Sequence, residues 1–174
     1  KEFIQHNFPD DVSYAYDCLV PSSYKSDLWR YCILFINGGI YLDIKYKTIN
    51  NFNLKHLCYS EHFTFDHCGK NVDSIWNENE FGIYTSLIVT KQRNPILQAC
   101  IDSVVKNVET FFYGKNALYP TGPGLLGKNY FEINYDKDMK FIENIQLFHH
   151  EDSNAIIYDN TAIVDVFNSY REEQ

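Results

Sequence analysis

The apolar positions of the first forty residues predict one long helix that leads into a tight turn. After Pro21, apolar side chains recur at helical spacing, at Tyr24, Leu28, Tyr31, Cys32 and Phe35. Ser22 or Ser23 is the predicted N-cap, because a serine hydroxyl accepts a hydrogen bond from a free backbone N–H of the first turn. Asn37-Gly38-Gly39 predicts the end of the helix, and we expect a positive φ at one or both of the two glycines.

Beyond the glycines, the pattern changes to the alternation of a strand. Residues 40–46 place two sets of side chains on opposite faces. Apolar Ile40, Leu42 and Ile44 share one face, and Tyr41, Asp43 and Lys45 share the other. The stretch therefore predicts a helix, a turn and a strand, with a carboxylate and an ammonium near the end of the strand.

Later segments extend this pattern into a mixed fold. Residues 81–90 predict a second strand, and residues 94–114 predict an amphipathic helix with Pro95 in its first turn and Gly114 at its end. Residues 119–127 predict a glycine- and proline-rich loop, and residues 140–148 and 155–159 predict short strands. Strands mixed with helices indicate the α/β class.

Composition limits the classes of partner. A chain of 174 residues with 45% hydrophobic and 22% charged residues is typical of one soluble globular domain. A net charge of −8 argues against a nucleic-acid-binding surface, which requires a basic patch. No apolar run approaches the roughly 18 residues of a membrane-spanning helix. These features favour a small-molecule or protein ligand.

Cysteine usage bears on the compartment and on metal binding. Five cysteines, an odd number at wide spacing, predict reduced thiols in the cytoplasm. A Golgi-type lumen is the alternative if an anchor precedes residue 1, and we expect residues 1–174 to be one domain from a longer chain. The loose spacing of Cys58, His62, His67 and Cys68 argues against a structural zinc site.

Candidate chemistry concentrates around the glycine turn. Asp27 and Arg30 lie three positions apart in the predicted helix, and Asp43 follows the glycines. A surface ion pair accounts for the first two residues, and a turn cap accounts for Asp43. A ligand with hydroxyls and phosphates accounts for all of them together, because carboxylates accept hydroxyl protons and a guanidinium binds phosphate oxygens.

The segment YKSDLWRYCILFINGGIYLDIKY resembles the DXD-motif glycosyltransferases, the family of the yeast initiating mannosyltransferases, and is distantly similar to the clostridial glucosylating toxins. The matching residues are Asp27, Arg30, Tyr31, Gly38, Gly39, Tyr41, Leu42 and Asp43. The Thr-Gly-Pro loop at residues 121–123 resembles a later loop of the family. The resemblance implies a GT-A-like α/β domain whose first strands would precede residue 1.

The resemblance also implies an activity and a set of site residues. The activity is transfer of a hexose from a nucleotide-sugar donor to a hydroxyl of a glycan or protein acceptor, with retention of configuration. The implied catalytic residues are Asp27, Arg30 and Asp43, and we expect alanine at any of them to abolish transfer with the fold largely intact. The predicted donor-binding residues are Tyr31, Tyr41, Lys45, Thr121 and Gly122.

Lys45 departs from the family pattern, because the second aspartate of the motif normally binds manganese or magnesium. A protonated lysine repels such a cation. We therefore expect weak or absent metal dependence, with Lys45 supplying part of the positive charge. The alternative is that Lys45 points to solvent or only pairs with Asp43. If a metal is used, the candidate ligand is Asp43, with Asp66 and His149 as the next residues to consider.

Two other functions compete with transfer. A non-catalytic carbohydrate- or nucleotide-binding remnant of the fold is consistent with Lys45. A glycoside hydrolase would use Asp27 and Asp43 as carboxylates about 5–10 Å apart. Turnover of a nucleotide sugar separates transferase from remnant, and release of sugar from a simple glycoside identifies a hydrolase.

Overall fold

A computed structural model describes residues 1–66, 82–134, 147–150 and 154–166, with the backbone alone for His150. The helices are α1 (Glu2–Asn7), α2 (Asp10–Cys18), α3 (Ser22–Asn37), α4 (Pro95–Glu109) and α5 (Pro123–Asn134), with a short 3-10 helix at Leu54–Tyr59. The strands are β1 (Gly39–Leu42), β2 (Tyr46–Thr48), β3 (His62–Phe65), β4 (Ile83–Thr90), β5 (Leu147–His150), β6 (Ala155–Tyr158) and β7 (Thr161–Val166). The predicted α/β class is confirmed, and the architecture is consistent with a GT-A-like domain.

The described strands form one sheet, whose connectivity requires strong curvature. Its seven strands lie in the order β1-β4-β3-β5-β6-β7-β2, and only the β3–β5 pair is parallel. β1 and β2 are at opposite edges, although only residues 43–45 separate them. Four residue steps span at most about 14 Å, whereas six strand spacings in a flat sheet would span about 29 Å. The sheet therefore curls until the turn at 43–45 bridges its edges.

Helix α3 ends as predicted but begins differently. Its N-cap is Pro21 and no side chain caps it, so the prediction of a serine N-cap was wrong. The Pro21 carbonyl already accepts the N–H groups of Tyr24 and Lys25, which starts the helix at Ser22. At the other end, φ is 62° at Gly38 and 102° at Gly39, so the predicted positive φ is confirmed.

The predicted strand over residues 40–46 is wrong in its second half. β1 ends at Leu42, and residues 43–45 leave the sheet before β2 begins at Tyr46. The chain has to change edge here, because β1 pairs with β4 while β2 pairs with β7. Asp43 and Lys45 therefore lie in a turn and do not share a strand face, and Ile44 is exposed.

The later elements follow the predictions in type more closely than in length. β4 lies within the predicted residues 81–90, and β6 lies within the predicted residues 155–159. β5 shares only Leu147 and Phe148 with the strand predicted over residues 140–148 and continues to His150; residues 81 and 140–146 are outside the described residues. α4 begins at Pro95 but ends at Glu109, before the predicted Gly114, because Phe111 adopts a φ of 54°. α5 begins at Pro123 inside the predicted loop, since proline fits the first turn of a helix.

The buried apolar side chains of the described residues form two clusters. The larger one packs α1 to α5 against the sheet and includes Leu28 and Tyr31, both fully buried. The smaller one packs Tyr46 of β2 with strands β4 to β7 and the 3-10 helix. In the described ranges, no helix has the length and apolarity that crossing a bilayer requires. The site residues lie where α3, the 43–45 turn and β4 meet.

Candidate functional site

Asp27 and Arg30 project from α3 into the protein as a buried ion pair. Their exposures are 8% and 6%, and Arg30 Nη2 lies 3.3 Å from Asp27 Oδ1. Arg30 Nη1 donates to the Thr85 carbonyl oxygen at 2.5 Å and lies 3.6 Å from Asp43 Oδ1. This burial rules out the surface ion pair considered from the sequence. Arg30 instead connects α3, β4 and the turn after β1.

The loop before α5 closes over Asp27. Thr121 Oγ1 donates to Asp27 Oδ2 at 2.8 Å, and the Tyr31 hydroxyl donates to the Thr121 carbonyl oxygen at 2.8 Å. A Cβ atom at Gly122 would stand 3.4 Å from Asp27 Oδ2, so the loop lies in contact with the carboxylate at this residue. Burial raises the pKa of Asp27, and the opposing effects of Arg30 and Thr121 are smaller. Tyr31, Thr121 and Gly122 therefore surround Asp27 inside the protein.

Asp43 is held on several sides and remains partly exposed. The Tyr41 hydroxyl donates to Oδ1 at 2.8 Å, and the Ser86 hydroxyl donates to Oδ2 at 2.7 Å. The Asp43 N–H donates to the Ser86 carbonyl oxygen at 2.9 Å. The Arg30 guanidinium carbon lies 4.6 Å from the Tyr41 ring centroid, and 22% of the Asp43 side chain is exposed. The carboxylate is thus fixed in orientation with an edge accessible to a ligand.

Lys45 turns back onto Asp43. Its Nζ lies 3.6 Å from Asp43 Oδ2 and donates to the Tyr84 hydroxyl at 2.8 Å. Burial lowers the pKa of Lys45, but the contacts with Tyr84 and Asp43 outweigh burial and leave the pKa raised. A lysine that points only to solvent is ruled out by these contacts. The site therefore carries a fixed ammonium beside its partly exposed carboxylate.

The divalent metal that the family resemblance implies does not fit the residues at Asp43. The Lys45 ammonium places positive charge next to the oxygen that a cation would need. Within the described segments, no three His, Cys, Asp or Glu side chains gather into a group able to hold a metal ion. Asp66 and His149, the other candidate ligands, lie together with Oδ1 and Nδ1 3.4 Å apart.

The other candidate metal ligands considered from the sequence are dispersed or lie outside the described residues. Cys58 is exposed on the 3-10 helix, whereas His62 is buried in β3 and its pKa is lowered by burial. His67 and Cys68 are outside the described residues, and so is the side chain of His150. The positions of Cys58 and His62 therefore do not support the zinc site considered from the sequence.

Strand β4 supplies three site residues that the sequence analysis missed. Tyr84, Thr85 and Ser86 contact Lys45, Arg30 and Asp43, respectively. A run of three hydroxyl-bearing residues inside an otherwise apolar strand is a signal that could have drawn attention. Their partners depend on the antiparallel pairing of β1 with β4, which places Leu42 opposite Leu87.

One comparison with known proteins, that with protein families, agrees with the predicted resemblance. Residues 2–64 match the family described as the glycosyltransferase sugar-binding region containing DXD motif. A search of curated proteins finds no match. A solved structure, "PaToxG Glycosyltransferase", is similar at 20% identity and a TM-score of 0.47. The similarity covers 70% of this chain and 39% of that chain, so this chain spans about two fifths of its length.

The matched segment contains the helix, glycine turn and charged residues from which the resemblance was predicted. Asp27, Arg30, Asp43 and Lys45 all lie within residues 2–64. The match therefore covers the part of the chain that contains these predicted site residues. The predicted resemblance is confirmed: residues 2–64 are similar to the sugar-binding region of the DXD-motif glycosyltransferases.

Proposed function

We propose that this protein transfers a hexose from a nucleotide-sugar donor to an acceptor hydroxyl on a glycan or protein. The observation that carries the proposal is the fixed, partly exposed Asp43 between Arg30, Tyr41 and Ser86, with the Lys45 ammonium beside it. A carboxylate in a fixed orientation accepts hydrogen bonds from sugar hydroxyls. Neighbouring cations favour the diphosphate of a nucleotide sugar.

The proposed reaction needs no covalent attachment to the protein. The acceptor oxygen forms a bond to the anomeric carbon as the bond from that carbon to the diphosphate oxygen breaks. The electron pair of the broken bond leaves with the diphosphate, which takes up the proton of the acceptor hydroxyl. Attack from the face that the diphosphate leaves retains the configuration. The protein orients the sugar and stabilises the charge of the leaving group.

The residues divide into two roles in this proposal. Asp43 and Lys45 are partly exposed, with 22% and 27% of their side chains accessible, so they are placed to touch the donor. Asp27 and Arg30 are buried behind them and position Asp43 through the 3.6 Å contact with Arg30. Tyr41 and Ser86 complete the positioning by donating to the two oxygens of Asp43.

A donor panel tests the proposal on the full-length protein. Uridine and guanosine diphosphate hexoses are screened by thermal shift, and a ligand at 100 times its dissociation constant stabilises by about 2.7 kcal/mol. We expect a hit that is consumed faster when an acceptor glycan or protein is added. Asp43→Asn should remove binding and transfer, whereas Asp17→Asn, at an exposed ion pair with Lys1, should keep both.

The other outcomes identify the competing functions. Binding of a nucleotide sugar without turnover across the acceptor panel would identify a binding remnant. Release of sugar from a simple glycoside in the absence of nucleotide would identify a hydrolase. Either result contradicts the proposed transfer.

A further inference from the structure

Tyr84 lies between the Lys45 ammonium and the His149 ring. Its hydroxyl accepts a hydrogen bond from Lys45 Nζ at 2.8 Å and lies 3.2 Å from the donating Tyr46 hydroxyl. The His149 imidazole stacks on the Tyr84 ring, with the centroids 4.1 Å apart and the planes at 7°. The Tyr84 side chain is therefore held by contacts to its hydroxyl oxygen and to its ring.

These contacts restrict a side chain that is ordinarily mobile. A lysine loses rotamer freedom when its ammonium is held in one place, so a fixed ammonium requires several contacts. Among the described residues, Lys45 Nζ has four such contacts: the Tyr84 hydroxyl, Asp43 Oδ2 at 3.6 Å, and the rings of Tyr46 and Tyr84, both with centroids 5.3 Å away. The ammonium is thus held beside Asp43.

The ring behind Tyr84 is itself held in place. His149 is buried in β5, and its Nδ1 lies 3.4 Å from Oδ1 of the buried Asp66. Asp66 follows β3, which pairs with β5 and brings the two residues together. The contacts therefore run from Asp66 through His149 and Tyr84 to Lys45 at the partly exposed edge.

We propose that Tyr84, with its ring held by His149, is a positioning residue that fixes the Lys45 ammonium beside Asp43 as the cation of the donor site. This inference rests on the proposed function for its ligand, the diphosphate of a nucleotide sugar. The ammonium then occupies the place that the family resemblance gives to a divalent cation. Because the charge is already fixed before the donor binds, it interacts with the diphosphate without a reorganisation of the side chain.

A double-mutant cycle on the full-length protein tests this role through donor binding. Tyr84→Phe keeps the ring that stacks on His149 and removes only the hydroxyl that holds Lys45. With divalent metal removed by a chelator, we expect Tyr84→Phe to raise the dissociation constant of the nucleotide sugar about tenfold. This is the effect expected when a hydrogen bond to a charged group is lost. Lys45→Met should raise it at least as much, and the double variant should be no weaker than Lys45→Met alone.

Tyr59→Phe is the matched control, because Tyr59 is 88% exposed and is not among the contacts of Lys45 and Tyr84 given above. It should leave the dissociation constant unchanged. An unchanged constant in Tyr84→Phe would overturn the inference. So would a Tyr84→Phe effect that adds in full to that of Lys45→Met, since the two residues would then act separately.

A second readout separates this inference from the proposed function. The mobility of the Lys45 side chain is followed by nuclear magnetic relaxation of its ammonium-bearing carbon, without donor. Because the Tyr84 hydroxyl accepts a hydrogen bond from Lys45 Nζ at 2.8 Å, Tyr84→Phe should increase that mobility, and Tyr59→Phe should not. If no nucleotide sugar binds the parent protein, the proposed function fails. The positioning role is then decided by the relaxation measurement, and an unchanged mobility of Lys45 overturns it.

Discussion

Two aspartates flank Arg30 in different surroundings. Asp27 is closed in by Thr121 and by the guanidinium, and it is 8% exposed. Asp43 lies in the turn that bridges the sheet edges, where Tyr41 orients its carboxylate and part of it stays accessible. Both belong to the same sequence motif, but the side chain of Asp43 is more exposed than that of Asp27. This difference is why we propose that Asp43 touches the donor and that Asp27 acts behind it as a positioning residue.

This contrast changes the expectation for alanine variants. The sequence analysis expects the fold to survive alanine at Asp27, Arg30 or Asp43. Burial of the first two changes that expectation, because removing one partner of a buried ion pair leaves the other charge without compensation. Of the three alanine variants, we now expect only Asp43→Ala to keep a largely intact fold.

The largest expected effect is that of Asp27→Ala on stability. The variant removes the buried partner of Arg30 and the acceptor of the Thr121 hydroxyl. We expect the free energy of unfolding to fall by about 3–5 kcal/mol, measured by urea denaturation. Asp17→Ala, at an exposed pair, should lower it by no more than about 1 kcal/mol. Equal losses in the two variants would remove the distinction between Asp27 and an ordinary surface aspartate.

The glycine turn sets the distance between the two aspartates, and its two glycines are expected to differ. A Cβ at Gly38 would lie 2.8 Å from Gln92 N and 3.0 Å from the Thr90 carbonyl oxygen, at a φ of 62°. Gly38→Ala should therefore cost more than about 2 kcal/mol of unfolding free energy. Gly39→Ala should cost less, because its Cβ would meet no atom within 4 Å and only the strain of its φ remains. A larger loss at Gly39 in denaturation experiments would contradict the turn geometry.

The pH dependence of stability tests the burial of Asp27 with a smaller effect. Burial raises its pKa in the folded protein above the ordinary value of 3.8. A group with a raised folded pKa contributes stability that is fully present below its unfolded pKa and is lost as pH rises through its folded pKa. The Asp27→Asn variant has no ionisable side chain at this position, so its stability does not decrease in this way as pH rises.

We therefore expect the unfolding free energy of the parent, relative to Asp27→Asn, to decrease as pH rises from below 3.8 through the folded pKa. Urea titrations of both proteins at several pH values measure this difference. A difference that increases with pH would mean that ionisation of Asp27 stabilises the fold.

The smallest expected effect concerns chelation at the accessible aspartate. Because Lys45 lies 3.6 Å from Asp43 Oδ2, removal of divalent metal by chelator should leave donor binding by the parent nearly unchanged. Lys45→Asp, which replaces the ammonium with a second carboxylate, should make donor binding depend on added manganese. Loss of binding by the parent in chelator, restored by manganese, would contradict the role given to Lys45.

Local features of the fold were accessible from the sequence. The extent of α3, its termination at Gly38 and the start of α4 at Pro95 depend on helical spacing and on the backbone properties of glycine and proline. The same local pattern identified Asp27, Arg30 and Asp43 as one group. These features depend on neighbours within a few turns of chain, which a sequence pattern records directly.

Features that depend on pairing between strands far apart in the sequence could not be predicted from it. The end of β1 at Leu42 follows from the change of sheet edge, and alternation alone continued the strand to residue 46. Tyr84 and Ser86 contact Lys45 and Asp43 from β4, which pairs directly with β1 although the two strands are far apart in the sequence. The run of hydroxyl-bearing residues in β4 is visible in the sequence, but the pattern does not indicate which residues of the site they contact.

Donor binding and stability in Asp43→Asn and Asp27→Ala test the contrast between the two aspartates most directly. Titration with the nucleotide sugar found in the donor panel gives the dissociation constant, and urea denaturation gives the free energy of unfolding. We predict that Asp43→Asn loses donor binding at least tenfold while its stability stays within about 1 kcal/mol of the parent. We predict that Asp27→Ala loses mainly stability, by about 3–5 kcal/mol. Donor binding that is unchanged in Asp43→Asn would contradict the role proposed for Asp43.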